Sequence, residues 1–270
     1  MTTKISSADN PALANSVIQA ALKPEEKGFV APQILPPSDT SVYLPGGYVD
    51  TAGQVHRTAE VRELNGNDEE AISKTSNFAK TVLVILSRGT VSVGPEKATE
   101  QILDRLLIGD RDALLVGILK ATFGNIVETS AYCAKCQKFK DIAINVDEDI
   151  KSKVLSDPIA DRMFSVQGKA GEIIVQLPDG AVQKKMISNE DKTQAELSTV
   201  LLENTVTSIN GTPVYSAAQV QALSVLDRRK ILDEINARVP GPTFDDVVVK
   251  CPECEGEVNV PTNLGTLFRF

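Results

Sequence analysis

The sequence predicts an α+β fold in which helical segments are inserted between two β-hairpins, preceded by an extended N-terminal arm. Three observations support this fold class. Segments with helical periodicity alternate with short strand-like runs through most of the 270 residues. Four cysteines form two CxxC pairs, each lying between strand-like segments. Residues 1–45 are rich in Pro, Ser, Ala and Thr, which predicts an arm that either orders along a partner or is a simple disordered terminus.

The composition and charge of the chain argue against several classes of function. Asp and Glu number 36 against 28 Lys and Arg, and the net charge of -8 argues against binding to nucleic acid or to an anionic membrane surface. Aromatic residues make up 4% and Trp is absent, so the core must be mainly aliphatic and few rings are present to stack on bases. No apolar run approaches the roughly 18 residues of a membrane span, and the N-terminus lacks a signal-like apolar segment. We therefore expect an intracellular protein without a membrane span.

Residues 46–130 are predicted to form a β-hairpin followed by helices. The segment LPGGYVDTAGQV is typical of a hairpin start, and TAEVRELNGNDEEAIS predicts a strand, a turn and a helix. We expect Asn67 or Asp68 to cap that helix, because short polar side chains accept hydrogen bonds from the first free backbone N–H groups.

The second half of this region is more apolar. KTSNFAKTVLVILSRG is compatible with either a helix or a strand. The following residues, 95–124, predict two amphipathic helices broken at Gly109, the second of them capped by Asp110.

Residues 151–242 are predicted to hold a β-hairpin and a helical insertion. The segment EIIVQLPDGAVQKKMIS indicates a hairpin with its turn at residues 178–180, which are Pro, Asp and Gly. Residues 191–206 and 219–239 have helical periodicity.

The paired cysteines are the strongest feature of the chain. The pairs are Cys133 with Cys136 and Cys251 with Cys254. A CxxC in a tight turn between antiparallel strands points both sulfurs to one side, which is the geometry of a zinc knuckle. Two facing knuckles supply four thiolates, the closed tetrahedral shell of one structural Zn²⁺ per chain. Residues 131–150 with 243–262 would then form a discontinuous zinc ribbon, followed by a C-terminal tail of residues 263–270.

Other interpretations of the cysteines are weaker but remain open. Two disulfides would need an oxidising compartment, and the sequence shows no sign of secretion into one. A redox-active CxxC usually opens a helix after a strand, and neither pair does so. A catalytic zinc needs an open coordination position, which four thiolates do not leave.

The sequence gives no positive support for catalysis. It contains no phosphate-binding glycine loop, no GxSxG, and a single histidine, His56, which we interpret as a surface or half-buried structural residue. Residues 110–112 are interpreted as a helix cap with a local salt bridge, and residues 227–230 as a solvated helix face. We predict that the protein is not an enzyme and binds no small-molecule substrate.

A zinc-ribbon nucleic-acid-binding protein is the alternative from a different class. Its support is limited to the first cysteine pair, where Lys135, Lys138 and Lys140 make the turn basic and would offset thiolate charge. The second pair, in PECEGE, is acidic. Three lysines make too small a positive footprint for convincing binding.

The order of segments over residues 43–270 resembles the baseplate-hub family of tailed phages, which includes hub-assembly proteins. The resemblance is carried, in chain order, by LPGGY, AEVRELNGNDEEAIS, LLIGDRDALLVGILKATFGN, CAKC, LPDG, VTSINGTP, LDRRKILDEINARVPG, CPEC and TLFRF. It implies a structural subunit of a phage tail baseplate or tail tip, located in the virion after assembly in the host cytoplasm. The alternative is an assembly chaperone that is not retained in the particle.

The resemblance also implies partners and ligands. The partners would be other tail and baseplate proteins, with multiple copies of the chain in a symmetric assembly. The implied zinc ligands are the four cysteines, and no catalytic residue is implied. The arm before Tyr43 has no counterpart in the family pattern.

Overall fold

The computed structural model describes residues 40–189, 191–244 and 247–268. The chain divides into residues 1–36 and residues 37–270, and every described residue belongs to the second unit. Of the predicted arm, residues 1–39 lie outside the described part, and a strand already begins at Ser41. The described residues form a mixed α/β structure with several small sheets, as the predicted fold class requires.

The first sheet is antiparallel and has the strand order β1-β2-β3-β4. Its strands are β1 (Ser41–Val49), β2 (Val55–Val61), β3 (Thr90–Val93) and β4 (Glu96–Lys97). The predicted hairpin is confirmed, since Val49 pairs with Val55 and Tyr48 with His56 across the turn.

Two helices connect β2 to β3, namely α1 (Gly66–Ser73) and α2 (Phe78–Gly89). The N-cap of α1 is Asn65 rather than the predicted Asn67 or Asp68. Asp68 lies one turn inside the helix, and its carboxylate accepts a hydrogen bond from the Asn65 backbone N–H at 3.0 Å, which completes a capping box. The ambiguous segment before β3 is the helix α2, whose buried residues recur at helical spacing.

The next two helices are α3 (Glu100–Arg105) and α4 (Ile108–Phe123). The predicted break at Gly109 is wrong, because the break falls at Leu106 and Leu107. A tertiary contact sets its position: Ile108 N–H donates to the Pro178 carbonyl at 3.2 Å and Gly180 N–H donates to the Leu106 carbonyl at 2.8 Å. These bonds hold the linking dipeptide extended, so the helix starts after it.

A long hairpin follows α4, formed by β5 (Ile126–Cys133) and β6 (Lys138–Asn145), which pair residue by residue from Ile126 with Asn145 to Cys133 with Lys138. After it come the short helix α5 (Val146–Asp149), the strand β7 (Ser152–Lys153) and a 3₁₀ turn at Ala160–Arg162.

The second large sheet has the strand order β11-β10-β9-β8. Its strands are β8 (Met163–Gly168), β9 (Gly171–Gln176), β10 (Val206–Ile209) and β11 (Thr212–Pro213). The helices of this region are α6 (Gly180–Ile187), α7 (Gln194–Thr205), α8 (Ala217–Gln221) and α9 (Val225–Arg238).

The predicted hairpin turn at residues 178–180 is wrong. Asp179 is instead the N-cap of α6, and its carboxylate accepts a hydrogen bond from Val182 N–H at 3.0 Å. Strand β9 pairs with β8 and β10 on its two sides, so the residues after Gly180 cannot pair with β9 as a hairpin would require. The helical prediction for residues 191–206 is confirmed by α7. That for residues 219–239 is confirmed only in part, because the segment is divided between α8 and α9, with a break at residues 222–224.

The last elements are β12 (Gly241–Pro242), β13 (Val248–Lys250), β14 (Glu257–Asn259) and α10 (Leu264–Leu267). Strand β12 pairs with β7, and β13 pairs with β14 in an antiparallel hairpin. The end of the predicted tail is not a free segment in its described part, because Leu267 and Phe268 are buried in the main core.

Two apolar clusters form most of the core. The larger cluster draws on the first sheet, α2, α4 and both cysteine-bearing hairpins, and it includes Cys133 and Cys251. The smaller cluster lies within residues 166–235, around β8, β9, α7 and α9. Aliphatic side chains dominate both clusters, as the aromatic-poor composition predicts.

Candidate metal centre

The first cysteine pair lies at the tip of the β5–β6 hairpin. Cys133 ends β5, and the turn is closed by Gln137 N–H, which donates to the Cys133 carbonyl at 2.8 Å. The Cys136 backbone N–H points at the Cys133 Sγ at 3.4 Å. Gln137 adopts a left-handed backbone with φ of 57°, which turns the chain back into β6.

The second pair repeats this local geometry in the β13–β14 hairpin. Glu255 N–H donates to the Cys251 carbonyl at 2.9 Å, and Cys251 N–H donates to the Gly256 carbonyl at 2.8 Å. Glu255 has φ of 55°, matching Gln137 at the equivalent position after the second cysteine. The two turns are therefore built alike, although residues 137–250 separate the two pairs in sequence.

The four predicted cysteines come together between the hairpins. Their sulfur atoms all lie within 4.8 Å of one another. Across the two hairpins, the Sγ atoms of Cys133 and Cys254 are 3.6 Å apart and those of Cys136 and Cys251 are 3.8 Å apart. All four are free cysteines, two buried and two half-buried.

The sulfurs strongly affect one another's ionisation. The backbone N–H of Glu253 lowers the pKa of the Cys251 thiol to about 7. The neighbouring Cys254 sulfur raises the pKa of Cys136 to about 12. Four thiolates this close repel one another, so a cation among them is the means of deprotonating all four at neutral pH.

Two lysines connect the hairpins around the sulfurs. Lys135 Nζ donates to the Cys254 carbonyl at 3.0 Å, and Lys140 forms an ion pair with Glu253. The hydrogen bond to Glu253 raises the pKa of Lys140. Positive charge is thus held beside the cluster by residues of both hairpins.

The donor set matches a tetrahedral metal ion that prefers sulfur. Zinc–sulfur bonds of about 2.3 Å place tetrahedral sulfurs about 3.8 Å apart, close to the two cross-hairpin distances. Within the described residues, the group that could hold a metal consists of cysteines alone. The arrangement could supply four sulfur ligands to one metal ion.

His56 is half-buried, as predicted, and is paired with a carboxylate. Its Nε2 lies 2.9 Å from the Asp50 Oδ2, and the ring is half-buried beside Tyr48. The Asp50 carboxylate also accepts backbone hydrogen bonds from Ala52 and Gln54, so the pair organises the β1–β2 turn.

The interpretation of residues 110–112 as a helix cap is wrong, since the N-cap of α4 is Leu107, and the salt bridge of Arg111 is made to Asp104 of α3 at 3.7 Å. Asp110 is fully buried and accepts a hydrogen bond from Gly46 N–H of strand β1 at 2.6 Å, while burial raises its pKa to about 6. Arg111, 1% exposed, donates to the Leu103 carbonyl at 2.8 Å. Both residues join α4 to other elements, which no local pattern reveals.

The charged run at residues 227–230 is also only partly a solvated face. Asp227 is buried and accepts from Lys169 N–H at 2.9 Å. Arg228 donates to Thr199 Oγ1 at 2.8 Å, and Lys230 donates to the Gln167 carbonyl at 2.6 Å. The run holds α9 against α7 and β8.

The described residues form a mixed α/β protein in which two similar hairpins meet at a cluster of four cysteines. In this described part, that cluster is the one group that could hold a metal ion. Residues 57–269 match the family model described as T4 bacteriophage base plate protein, and since the match covers most of the chain, the protein belongs to that family. No curated protein and no solved structure matches the chain. The predicted relationship to phage baseplate proteins is confirmed, while a place in the hub stays a prediction. None of the described helices is both long and apolar enough to span a bilayer.

Proposed function

We propose that the protein is a structural, non-enzymatic subunit of a phage tail baseplate or tail tip, stabilised by one Zn²⁺ ion bound to Cys133, Cys136, Cys251 and Cys254. The baseplate family supports the location in the virion and the tail proteins as partners. The observation that carries the zinc assignment is the convergence of four free sulfurs at tetrahedral spacing. The copies of the chain would occupy equivalent positions in a symmetric assembly.

Zinc would supply stability that the cysteine-bearing hairpins lack on their own. The β13–β14 hairpin has three residue pairs, and an isolated two-stranded hairpin is at best marginally stable. A structural zinc contributes about 10–16 kcal/mol of apparent binding free energy to folding. Zinc binding would therefore attach the β13–β14 hairpin to β5 and β6 without requiring an oxidising compartment.

The zinc proposal is tested by metal analysis of the reduced full-length protein. We expect one zinc per chain and four thiols that react with a thiol reagent only after a chelator is added. Cys133→Ser and Cys251→Ser should each lose most of the zinc, whereas Ser130→Ala, on the same strand as Cys133, should retain it. Metal-free protein with four reactive thiols would contradict the proposal.

The subunit role is tested by quantitative mass spectrometry of purified particles. A structural subunit is present in a fixed ratio to other baseplate proteins. Its absence from finished particles, together with its presence in assembly intermediates, would instead identify an assembly chaperone.

A further inference from the structure

The outer face of the β5–β6 hairpin carries an exposed aromatic pair. Tyr132 and Phe139 lie directly opposite each other in the ladder, and their ring centroids are 5.5 Å apart in an edge-to-face arrangement. The two residues are 52% and 73% exposed. Since large exposed apolar groups that cluster mark interaction sites more often than isolated ones do, this pair is a candidate contact.

Two carboxylates share this face with the rings. Asp141 follows Phe139 by two residues on β6, and Glu128 lies beyond Ser130 on β5, so all project to the same side. Both carboxylates are exposed, and in the part of the chain that the structure describes neither has a salt bridge or side-chain hydrogen bond. They line a groove of about 550 Å³ together with Ser130 and Ala143, residues of the same two strands.

The opposite face of the same hairpin is fixed. Ala131, Cys133, Ile142 and Ile144 are buried in the main core, and the cysteine cluster holds the tip. The outer face is therefore presented by a rigid support, which lowers the conformational entropy that a partner would have to remove on binding.

We propose that the outer face, defined by Glu128, Tyr132, Phe139 and Asp141, is a docking site for an arginine-bearing segment of another protein. An arginine stacks its guanidinium on an aromatic ring and donates paired hydrogen bonds to a carboxylate. Successive residues on one face of a strand are about 7 Å apart, so one side chain can lie on the Phe139 ring and reach Asp141. The identification of the partner as a baseplate protein rests on the proposed function. The preference of the outer face for an arginine side chain does not depend on that function.

The chemistry is tested with peptide probes and the purified zinc-loaded full-length chain. The probes are three blocked pentapeptides in which valine alternates with arginine, lysine or glutamate, and binding is followed by NMR. We expect the arginine peptide to bind at least tenfold more tightly than the glutamate peptide, with shifts centred on β5 and β6. Asp141→Lys should remove this preference, while the exposed control Glu203→Lys should keep it. Equal binding of the three peptides, no binding, or shifts located elsewhere would overturn the proposal.

The partner is tested in assembled particles with a photo-crosslinking amino acid at position 139, and at the exposed Tyr215 as a control. We expect position 139 to crosslink to a different tail protein, within a few residues of an arginine. Crosslinking to a second copy of this chain, to an arginine-free segment or to nothing would overturn the proposal while leaving the structural-subunit role intact. Absence of the chain from particles would contradict the structural-subunit role. The peptide experiment would then still show whether the outer face prefers arginine.

Discussion

At the scale of single residues, buried carboxylates connect segments that are distant in sequence. Asp68 accepts hydrogen bonds from Arg62 at 2.7 and 3.0 Å and from Arg88 at 3.2 Å, in addition to its capping bond with Asn65. One carboxylate thereby joins α1, α2 and the residue that follows β2. Removing one partner from such a group leaves charged donors unpaired, which costs more than an average exposed ion pair contributes.

Asp68 predicts a specific dependence of stability on pH. The Arg62 guanidinium lowers the pKa of the Asp68 carboxyl to about 2, below its value of 3.8 in an unfolded chain. The stabilisation is therefore complete above pH 4 and is lost as the pH falls from 4 towards 2, because the unfolded state then binds the extra proton. Asp68→Asn should lower the free energy of unfolding by about 2 kcal/mol at pH 7, and this difference should shrink below pH 4.

Urea denaturation of both proteins at pH 7 and at pH 3 measures the effect. Loss of the proposed zinc in acid would lower the stability of both proteins, so the difference between them is the quantity to follow. Glu69→Gln, an exposed neighbour on the same turn, should change the free energy of unfolding by less than about 0.5 kcal/mol. An Asp68→Asn protein as stable as the parent at pH 7 would show that the Asp68 carboxylate does not stabilise the fold.

At the scale of elements, close backbone contact decides where helix α4 lies. A Cβ at Gly109 would fall 1.5 Å from the Pro240 carbonyl oxygen, so the helix touches the chain just before β12. A Cβ at Gly180 would lie 2.3 Å from Arg111 Nη1, so α6 also depends on a glycine to approach α4. These glycines permit packing that any side chain would prevent.

Substitution of Gly109 separates this packing from intrinsic helix propensity. Alanine in a helix is favoured over glycine by up to about 1 kcal/mol, so propensity alone predicts a more stable protein. The contact with Pro240 predicts the opposite, a loss of about 3 kcal/mol or more for Gly109→Ala. Gly66→Ala, in open space at the start of α1, is the matched control and should be neutral or stabilising. Thermal unfolding compares them, and a raised melting temperature for Gly109→Ala would contradict the close packing.

At the scale of the whole molecule, the cysteine cluster belongs to one of the two large apolar clusters. Cys133 and Cys251 are members of the main core, whereas the cluster within residues 166–235 contains no cysteine. Damage to the metal centre should therefore spread unevenly through the protein.

Chelation of the proposed zinc tests this uneven stability. After metal removal we expect amide hydrogen exchange to speed up most in β13, β14 and the tip of the β5–β6 hairpin, while Ile173 and Val175 in β9 keep their protection. Hydrogen exchange read by mass spectrometry on the zinc-loaded and chelated protein gives the comparison. Loss of protection in all elements together, or in none, would contradict a local role for the metal.

The predictions that succeeded rest on local chemistry. A CxxC turn orients its two sulfurs by itself, and its repetition predicted that four cysteines meet, which the structure confirms, while their role as zinc ligands stays a prediction. Helices α7 and α9 form where periodicity and capping residues agree, with Thr193 and Ser224 as their N-caps. Tyr132 and Phe139 were not singled out, although alternation along the strand implies that a residue next to a buried Cys133 faces outward.

The predictions that failed depend on contacts between distant segments. Pro, Asp and Gly at residues 178–180 suit a hairpin turn and a helix start equally well, and the pairing of β9 with β8 and β10 selects the helix. The sequence by itself therefore determined the helices whose periodicity and caps agree and the four ligand candidates, because these follow from residue type and spacing. Tertiary structure alone decided the start of α4 and the burial of Asp110 and Arg111, because burial depends on which elements meet.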